Sequence, residues 1–143
     1  MPRRKSTLPS EVFLSHASAD RKFADELAHM LRSHGIPVWY SESDIVGAQR
    51  WHDEIGKALA RCDWFLLVLS PTAVKSRWVG RELTYALNES RFDNHIIPVI
   101  HRPCDPKRLS WTLPSMEHVD FTQSKMTGFT DLLRVWGIGY RSE

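Results

Sequence analysis

The chain has 143 residues, the size of one domain, and 42% of them are hydrophobic, enough to bury one ordinary core. Its formal charge of +2 is nearly neutral, and its one basic run, Pro2-Arg3-Arg4-Lys5, comes without the basic face or interleaved aromatics of a nucleic-acid binder, so no direct nucleic-acid partner is expected. No stretch approaches the ~18–20 apolar residues of a membrane span, and no apolar segment follows the basic N-terminus as it would in a secretory signal.

Residues 1–10 read as a flexible tail and 11–143 as a single domain. Val12-Phe13-Leu14 is a short apolar run, the first strand. Over residues 20–34, Phe23, Leu27, Met30 and Leu31 share one helical face, with Ser18 or Asp20 to cap the start and Gly35 to end it. Ile36-Pro37-Val38-Trp39 is a second strand, placed at an edge or starting at Pro37, which has no N–H to give a ladder. Tyr40 to Arg50 is a polar loop containing Gly47. Trp51, Ile55 and Leu59 then mark the second helix at i, i+4 and i+8.

Trp64-Phe65-Leu66-Leu67-Val68-Leu69 is continuously apolar, as expected of a strand covered on both faces at the centre of a parallel sheet. Ser70-Pro71 stops it. Ser76-Arg77-Trp78-Val79-Gly80-Arg81-Glu82-Leu83 opens the third helix with Ser76 as N-cap. Its buried stripe is Val79, Leu83, Ala86 and Leu87, and this spacing leaves Glu82 at the border of the stripe, unused in packing. His95 to Ile100 is a fourth strand. Residues 101–115 hold three prolines and read as loop with one turn of helix, and Glu117 to Phe121 is a weak fifth strand. Phe129, Leu132, Leu133 and Trp136 make a last helix ended by Gly137.

Strand and helix alternate about five times, without repeats or linkers, which predicts an α/β, flavodoxin-like, doubly wound sheet of five parallel strands in the order 2-1-3-4-5 with helices on both faces. In that order ligands bind beyond the carboxyl ends of strands 1 and 3. Ser15-His16-Ala17-Ser18-Ala19 follows strand 1, and Ser70 to Arg77 follows strand 3, so Trp78 and Glu82 are expected beside the crevice.

Trp78 and Glu82 project from one helix face about 6 Å apart along the axis. An indole offers a flat wall for a stacked heterocycle. A carboxylate can bind ribose hydroxyls and stabilise an oxocarbenium-like transition state. Most glycosidases need two carboxylates because a poor leaving group must be protonated. Nicotinamide leaves NAD⁺ as a neutral molecule from a pyridinium, so one carboxylate suffices. A tryptophan packed on a loop beside a solvated glutamate is the plainer alternative.

The Ser15-His16-Ala17-Ser18 loop can donate hydrogen bonds to a phosphate or ribose, or can serve only as a helix-start segment. It lacks both G-x-G-x-x-G and G-K-[ST]. It also lacks the pair of acids that a receiver domain carries after strand 1. The acidic Tyr40–Arg50 loop has an apolar tip, Ile45-Val46, that either packs beneath its own loop or inserts into a neighbouring subunit. Trp51 reads as a core or loop anchor. Cys62 and Cys104 have no metal-ligand spacing and the histidines form no ligand pair, so no metal is expected; the two thiols read as small hydrophobes in a reducing, cytoplasmic setting.

Together these residues resemble the Toll/interleukin-1 receptor (TIR) domain family. Val12 to Asp20 looks like its first box. Tyr40 to Trp51, with Asp44, Ile45, Gly47 and Trp51, looks like its BB loop and second-helix start. Phe65 to Pro71 followed by Ser76-x-Trp78-x-x-x-Glu82-Leu83 looks like the third strand and helix of bacterial and plant members, and Ile97-Pro98-Val99 is similar to the strand 4 motif. Two positions depart from the pattern: Val79 stands where many relatives have Cys, and His16 where others have Tyr or another polar residue.

The resemblance implies an NAD⁺ glycohydrolase or ADP-ribosyl cyclase of the bacterial NAD-consuming type, with NAD⁺ as substrate and no cofactor. Glu82 is then the catalytic carboxylate, and Ser15, His16, Ala17, Asp44, Ile45, Trp51 and Trp78 contact the substrate. It further implies self-association through the Tyr40–Arg50 loop, control by a sensor or effector partner, and a place in anti-phage defence. The alternatives are a non-catalytic TIR–TIR interaction module and a nucleotide-binding receptor on the same fold. Hydrolysis and cyclisation both stay open.

Overall fold

The computed structural model describes residues 8–40 and 48–142, with residues 48–52 as backbone. Asp44, Ile45 and most of the Tyr40–Arg50 loop lie outside the described residues. Of the expected tail, residues 1–7 also lie outside them. Pro9 is buried, and the Ser10 and Glu11 amides donate to the Asp63 carboxylate at 3.0 and 3.2 Å.

Among the described residues, five parallel strands form one sheet: β1 (Val12–Ser15), β2 (Val38–Trp39), β3 (Trp64–Leu69), β4 (Ile96–Ile100) and β5 (Val119–Asp120). Their order is β2-β1-β3-β4-β5, as the alternation of strand and helix predicts. The helices are α1 (Arg21–Ser33), α2 (Ala48–Arg61), α3 (Arg77–Leu87) and α4 (Lys125–Arg134). Successive strand residues point to opposite faces. Val12, Leu14, Leu66 and Val68 therefore pack with Phe23, Leu27 and Leu31 of α1 and Leu132 and Leu133 of α4. Phe13, Phe65, Leu67 and Leu69 pack with Ile55 and Leu59 of α2 and Val79, Leu83 and Ala86 of α3. All six residues of β3 are buried, which accounts for its unbroken apolar run.

Several boundaries differ from the sequence expectation, each for a local reason. Gly35 takes φ +82°, the left-handed conformation that ends a helix cheaply, and the Ile36 amide turns back to the Leu31 carbonyl at 3.0 Å. Ile36 is thus spent on ending α1, and β2 keeps only Val38 and Trp39. β5 also shrinks, to Val119 and Asp120; the Phe121 amide still donates to the Ile100 carbonyl at 2.9 Å, and Asp120 Oδ1 then takes the Thr122 amide at 2.8 Å and hydroxyl at 2.6 Å and turns the chain. α2 starts at Ala48, so Ala48, Gln49 and Arg50 belong to a helix rather than to the loop. The Pro-rich stretch after β4 holds two 3₁₀ turns, Pro106–Arg108 and Leu113–Ser115. Neither Ser18 nor Asp20 caps α1 with its side chain.

Candidate active site

α3 begins where its capping residue dictates. Ser76 Oγ accepts the Val79 amide at 3.2 Å, a bond typically worth about 1 kcal/mol. Val79, Leu83 and Ala86 then turn inward, and Leu87 is half-buried. Glu82 does not stay at the border of this stripe, as its spacing suggests. It is 5% exposed, which corrects the expectation of a residue spare for folding. Its carboxylate reaches the carboxyl end of β1, where Ser15 Oγ donates to Oε1 at 2.6 Å. Strand alternation explains the contact, because Phe13 and Ser15 face α3 while Val12 and Leu14 face α1.

Oε2 of Glu82 is buried and has no hydrogen-bond partner among the described residues. Burial pushes the Glu82 carboxyl up from 4.5 to about 7, and the Ser15 hydrogen bond pulls the other way. The group is therefore poised between its two protonation states near neutral pH.

Trp78 stands one turn earlier, half-buried against the α2/α3 cluster, with the Arg81 guanidinium 5.8 Å from its ring centre. His16 is buried and meets the Tyr40 ring edge-on at 5.7 Å. Burial, with the Arg21 charge nearby, lowers its pKa from the usual histidine value. Ala17 is buried on the α2/α3 side. The structure thus gathers Ser15, His16, Ala17 and Glu82 around the end of β1, with Trp78 one turn away on α3. Trp51 lies in the first turns of α2, and its side chain falls outside the described residues, as do Asp44 and Ile45.

A second buried pair goes unanticipated in the sequence. Ser70 Oγ donates to Asp20 Oδ2 at 2.5 Å and accepts the Ala73 amide at 3.0 Å. His101 Nε2 stands 4.0 Å from Asp20 Oδ1 and its ring stacks on Phe23. Asp20 reads in the sequence as a helix cap, but the end of β3 claims its carboxylate instead. The available signal is that Ser70 ends the apolar run of β3 as Ser15 ends that of β1, one residue out of phase in the pleat. Each central strand thus ends in a serine that engages a carboxylate, and the two serines point to opposite faces of the sheet.

Among the described residues, the buried polar or charged set is Ser15, His16, Asp20, Ser70 and Glu82. All five stand at the carboxyl ends of β1 and β3 or on the turns and helices facing them. Burying such groups costs free energy, so their convergence at the topological switch point marks it as the candidate site. A cavity of about 1050 Å³ lies elsewhere, at the amino ends of β3, β4 and β5, lined by Ile96, Val119, Leu87, Asp131 and Arg134 among others. Cys62 is buried, which pushes its thiol up to about 12, and burial also raises that of half-buried Cys104. Both behave as small hydrophobes, as their surroundings in the sequence suggest. No cluster of three or more His, Cys, Asp or Glu that could hold a metal ion occurs among the described residues, and none of their helices is long and apolar enough to cross a membrane.

Comparison with known proteins agrees with this architecture. The TIR domain family model matches residues 12–133. The NAD(+) hydrolase PdTIR of Paracoccus denitrificans is 29% identical over 121 residues, covering 83% of this chain and 40% of that protein. The 2' cyclic ADP-D-ribose synthase BtTIR of Bacteroides thetaiotaomicron is 30% identical over 94 residues, covering 64% of this chain and 33% of that protein. This chain therefore spans well under half the length of these curated relatives. The crystal structure of the TIR domain of the Toll-related receptor TRR-2 from Hydra magnipapillata superposes with a TM-score of 0.70 at 22% identity, covering 86% of this chain and 94% of that one. From a family match over nearly its whole length and a sheet of the same fold, the chain belongs to the TIR domain family.

Proposed function

We propose that this chain cleaves the nicotinamide–ribose bond of NAD⁺, releasing nicotinamide and either ADP-ribose or its cyclic form. The observation that carries this reading is the Glu82 carboxylate, buried at the switch point with one oxygen held by Ser15 and the other without a hydrogen-bond partner among the described residues. The NAD(+) hydrolase and cyclic ADP-ribose synthase relatives support the same substrate.

The chemistry follows from the leaving group. Nicotinamide departs neutral, so no acid has to protonate it, and the developing positive charge on the ribose falls to a single carboxylate. Glu82 supplies that charge when ionised. It works in a water-poor setting, where its field on the oxocarbenium is less screened than in water. Trp78 forms a wall at the nicotinamide end, and His16 and Ala17 line the approach. Asp44 and Ile45, on the Tyr40–Arg50 loop, and Trp51, on α2, join the substrate side, and the loop also mediates self-association. Uncovering the 5%-exposed Glu82 is then a step of activation, driven by assembly or by a separate sensor partner. The setting is cytoplasmic, and the biological role is NAD⁺ depletion or signalling in anti-phage defence.

The same enclosure of Glu82 favours one other reading, a TIR–TIR interaction module whose carboxylate is never uncovered. Incubating concentrated protein with NAD⁺ and separating the products by chromatography discriminates between them. Nicotinamide release by the wild type, lost in a folded Glu82→Ala variant, supports the enzyme. No release even from assembled protein supports the module. The partner product, linear or cyclic ADP-ribose, distinguishes hydrolase from cyclase.

A further inference from the structure

Ser15 is the last residue of β1 and lies opposite Leu67 of β3, deep in the central strand pair. It is 1% exposed, and its hydroxyl is committed to Glu82 Oε1 at 2.6 Å. A hydroxyl so placed has no proton left for a phosphate oxygen, and meets a ribose hydroxyl only as an acceptor. It joins the central strand pair of the sheet to the helix that carries the reactive carboxylate. The terminal torsion of a glutamate is otherwise broad, and rotation about it exchanges the two carboxylate oxygens.

We propose that Ser15 is a positioning residue, which clamps one oxygen of Glu82 to the end of β1 so that the other faces the substrate ribose. This rests on the reading of Glu82 as the carboxylate that acts on NAD⁺. The clamp fixes direction, because an anchored oxygen leaves the second with one orientation relative to α3. It also stabilises the ionised form, since a hydroxyl that donates to a carboxylate favours the charged state. Burial raises the carboxyl and the Ser15 bond is what opposes it. The charged and titratable side chains on the elements around it are Arg77 and Arg81 on α3, Lys75 just before it and His16 after β1, while the causes of its shift are burial and the Ser15 hydrogen bond.

The test compares wild type with Ser15→Ala and Ser15→Thr in two readouts. One is the carbon-13 titration of the Glu82 carboxyl, assigned with Glu82→Gln. The other is the pH profile of nicotinamide release from NAD⁺ by concentrated protein. Ser15→Ala is expected to move the Glu82 midpoint, and with it the acid limb of the rate profile, upward by about one pH unit. At pH 7 the ionised fraction then falls about 5-fold. A further loss of rate persists at pH 9, where both proteins are ionised, because orientation is lost as well. Ser15→Thr keeps the hydroxyl and returns the midpoint to the wild-type value, a readout independent of how much protein folds. A folded Ser15→Ala variant with unchanged midpoint and unchanged rate overturns the role of Ser15 and leaves that of Glu82 standing. A wild type that releases no nicotinamide even when assembled, while Ser15→Ala still moves the midpoint, overturns the NAD⁺ reading and leaves the Ser15–Glu82 coupling standing.

Discussion

Replacing Glu82 by glutamine separates the cost of the site from its use. The folded-state pKa of Glu82 is raised to about 7 against 4.5 for an unperturbed carboxyl, with burial as the cause. A raised pKa means that the folded chain holds the proton more tightly than the unfolded chain. The associated stability is fully present below pH 4.5 and is lost as pH rises through 7. Integrating the two titrations, Glu82 costs the native state about 1 kcal/mol at pH 5 and roughly 3 kcal/mol at pH 8. Glutamine has nearly the same shape, accepts the Ser15 proton and does not titrate. Its amide NH2 adds two buried N–H donors, an offset that is constant with pH. Urea unfolding of both proteins at pH 5, 6, 7 and 8 therefore measures the difference cleanly. Relative to wild type, Glu82→Gln is expected to gain roughly 2 kcal/mol between pH 5 and pH 8, most of it between pH 5 and 7. Stability curves that run parallel across this range would show that Glu82 titrates at an ordinary value and that the enclosure carries no electrostatic strain.

Two further outcomes follow from packing and from the second buried pair. A Cβ added at Gly128 would meet the Phe121 ring at 2.3 Å, so Gly128→Ala displaces the buried ring or α4 and costs about 1–3 kcal/mol in urea unfolding, despite alanine's better helix propensity. Ser70→Ala leaves the buried Asp20 carboxylate without its hydroxyl partner and costs about 1–3 kcal/mol at pH 7. The Asp20→Asn and Ser70→Ala changes together cost less than their sum, and a double-mutant cycle with no coupling would refute the pairing.

Period and alternation in the chain suffice for the fold. The unbroken apolar run of β3 shows its central place, and the Gly35 and Pro37 positions bound α1 and β2 to within two residues. What local pattern does not carry is where a side chain goes once elements pack. Helical spacing puts Glu82 beside the stripe of Val79 and Leu83, yet its burial depends on Ser15, 67 residues away, being in phase on the facing strand. Asp20 has the residue type and position of a helix cap, and only the arrival of Ser70 at the end of β3 turns its carboxylate elsewhere. Both partnerships depend on strand register, and register is a property of the assembled sheet. β5 is shorter than its residues suggest for a related reason, since only Val119 and Asp120 of the expected Glu117–Phe121 pair in register with β4.

The rate of nicotinamide release from NAD⁺ by concentrated wild-type and Glu82→Gln protein, followed from pH 5.5 to 8.5, tests the proposed function most directly. The wild-type rate is expected to rise with pH through a midpoint of about 7, tracking ionisation of Glu82, while Glu82→Gln stays at background throughout. A Glu82→Gln protein that releases nicotinamide as fast as wild type would contradict the assignment of the reaction to this carboxylate.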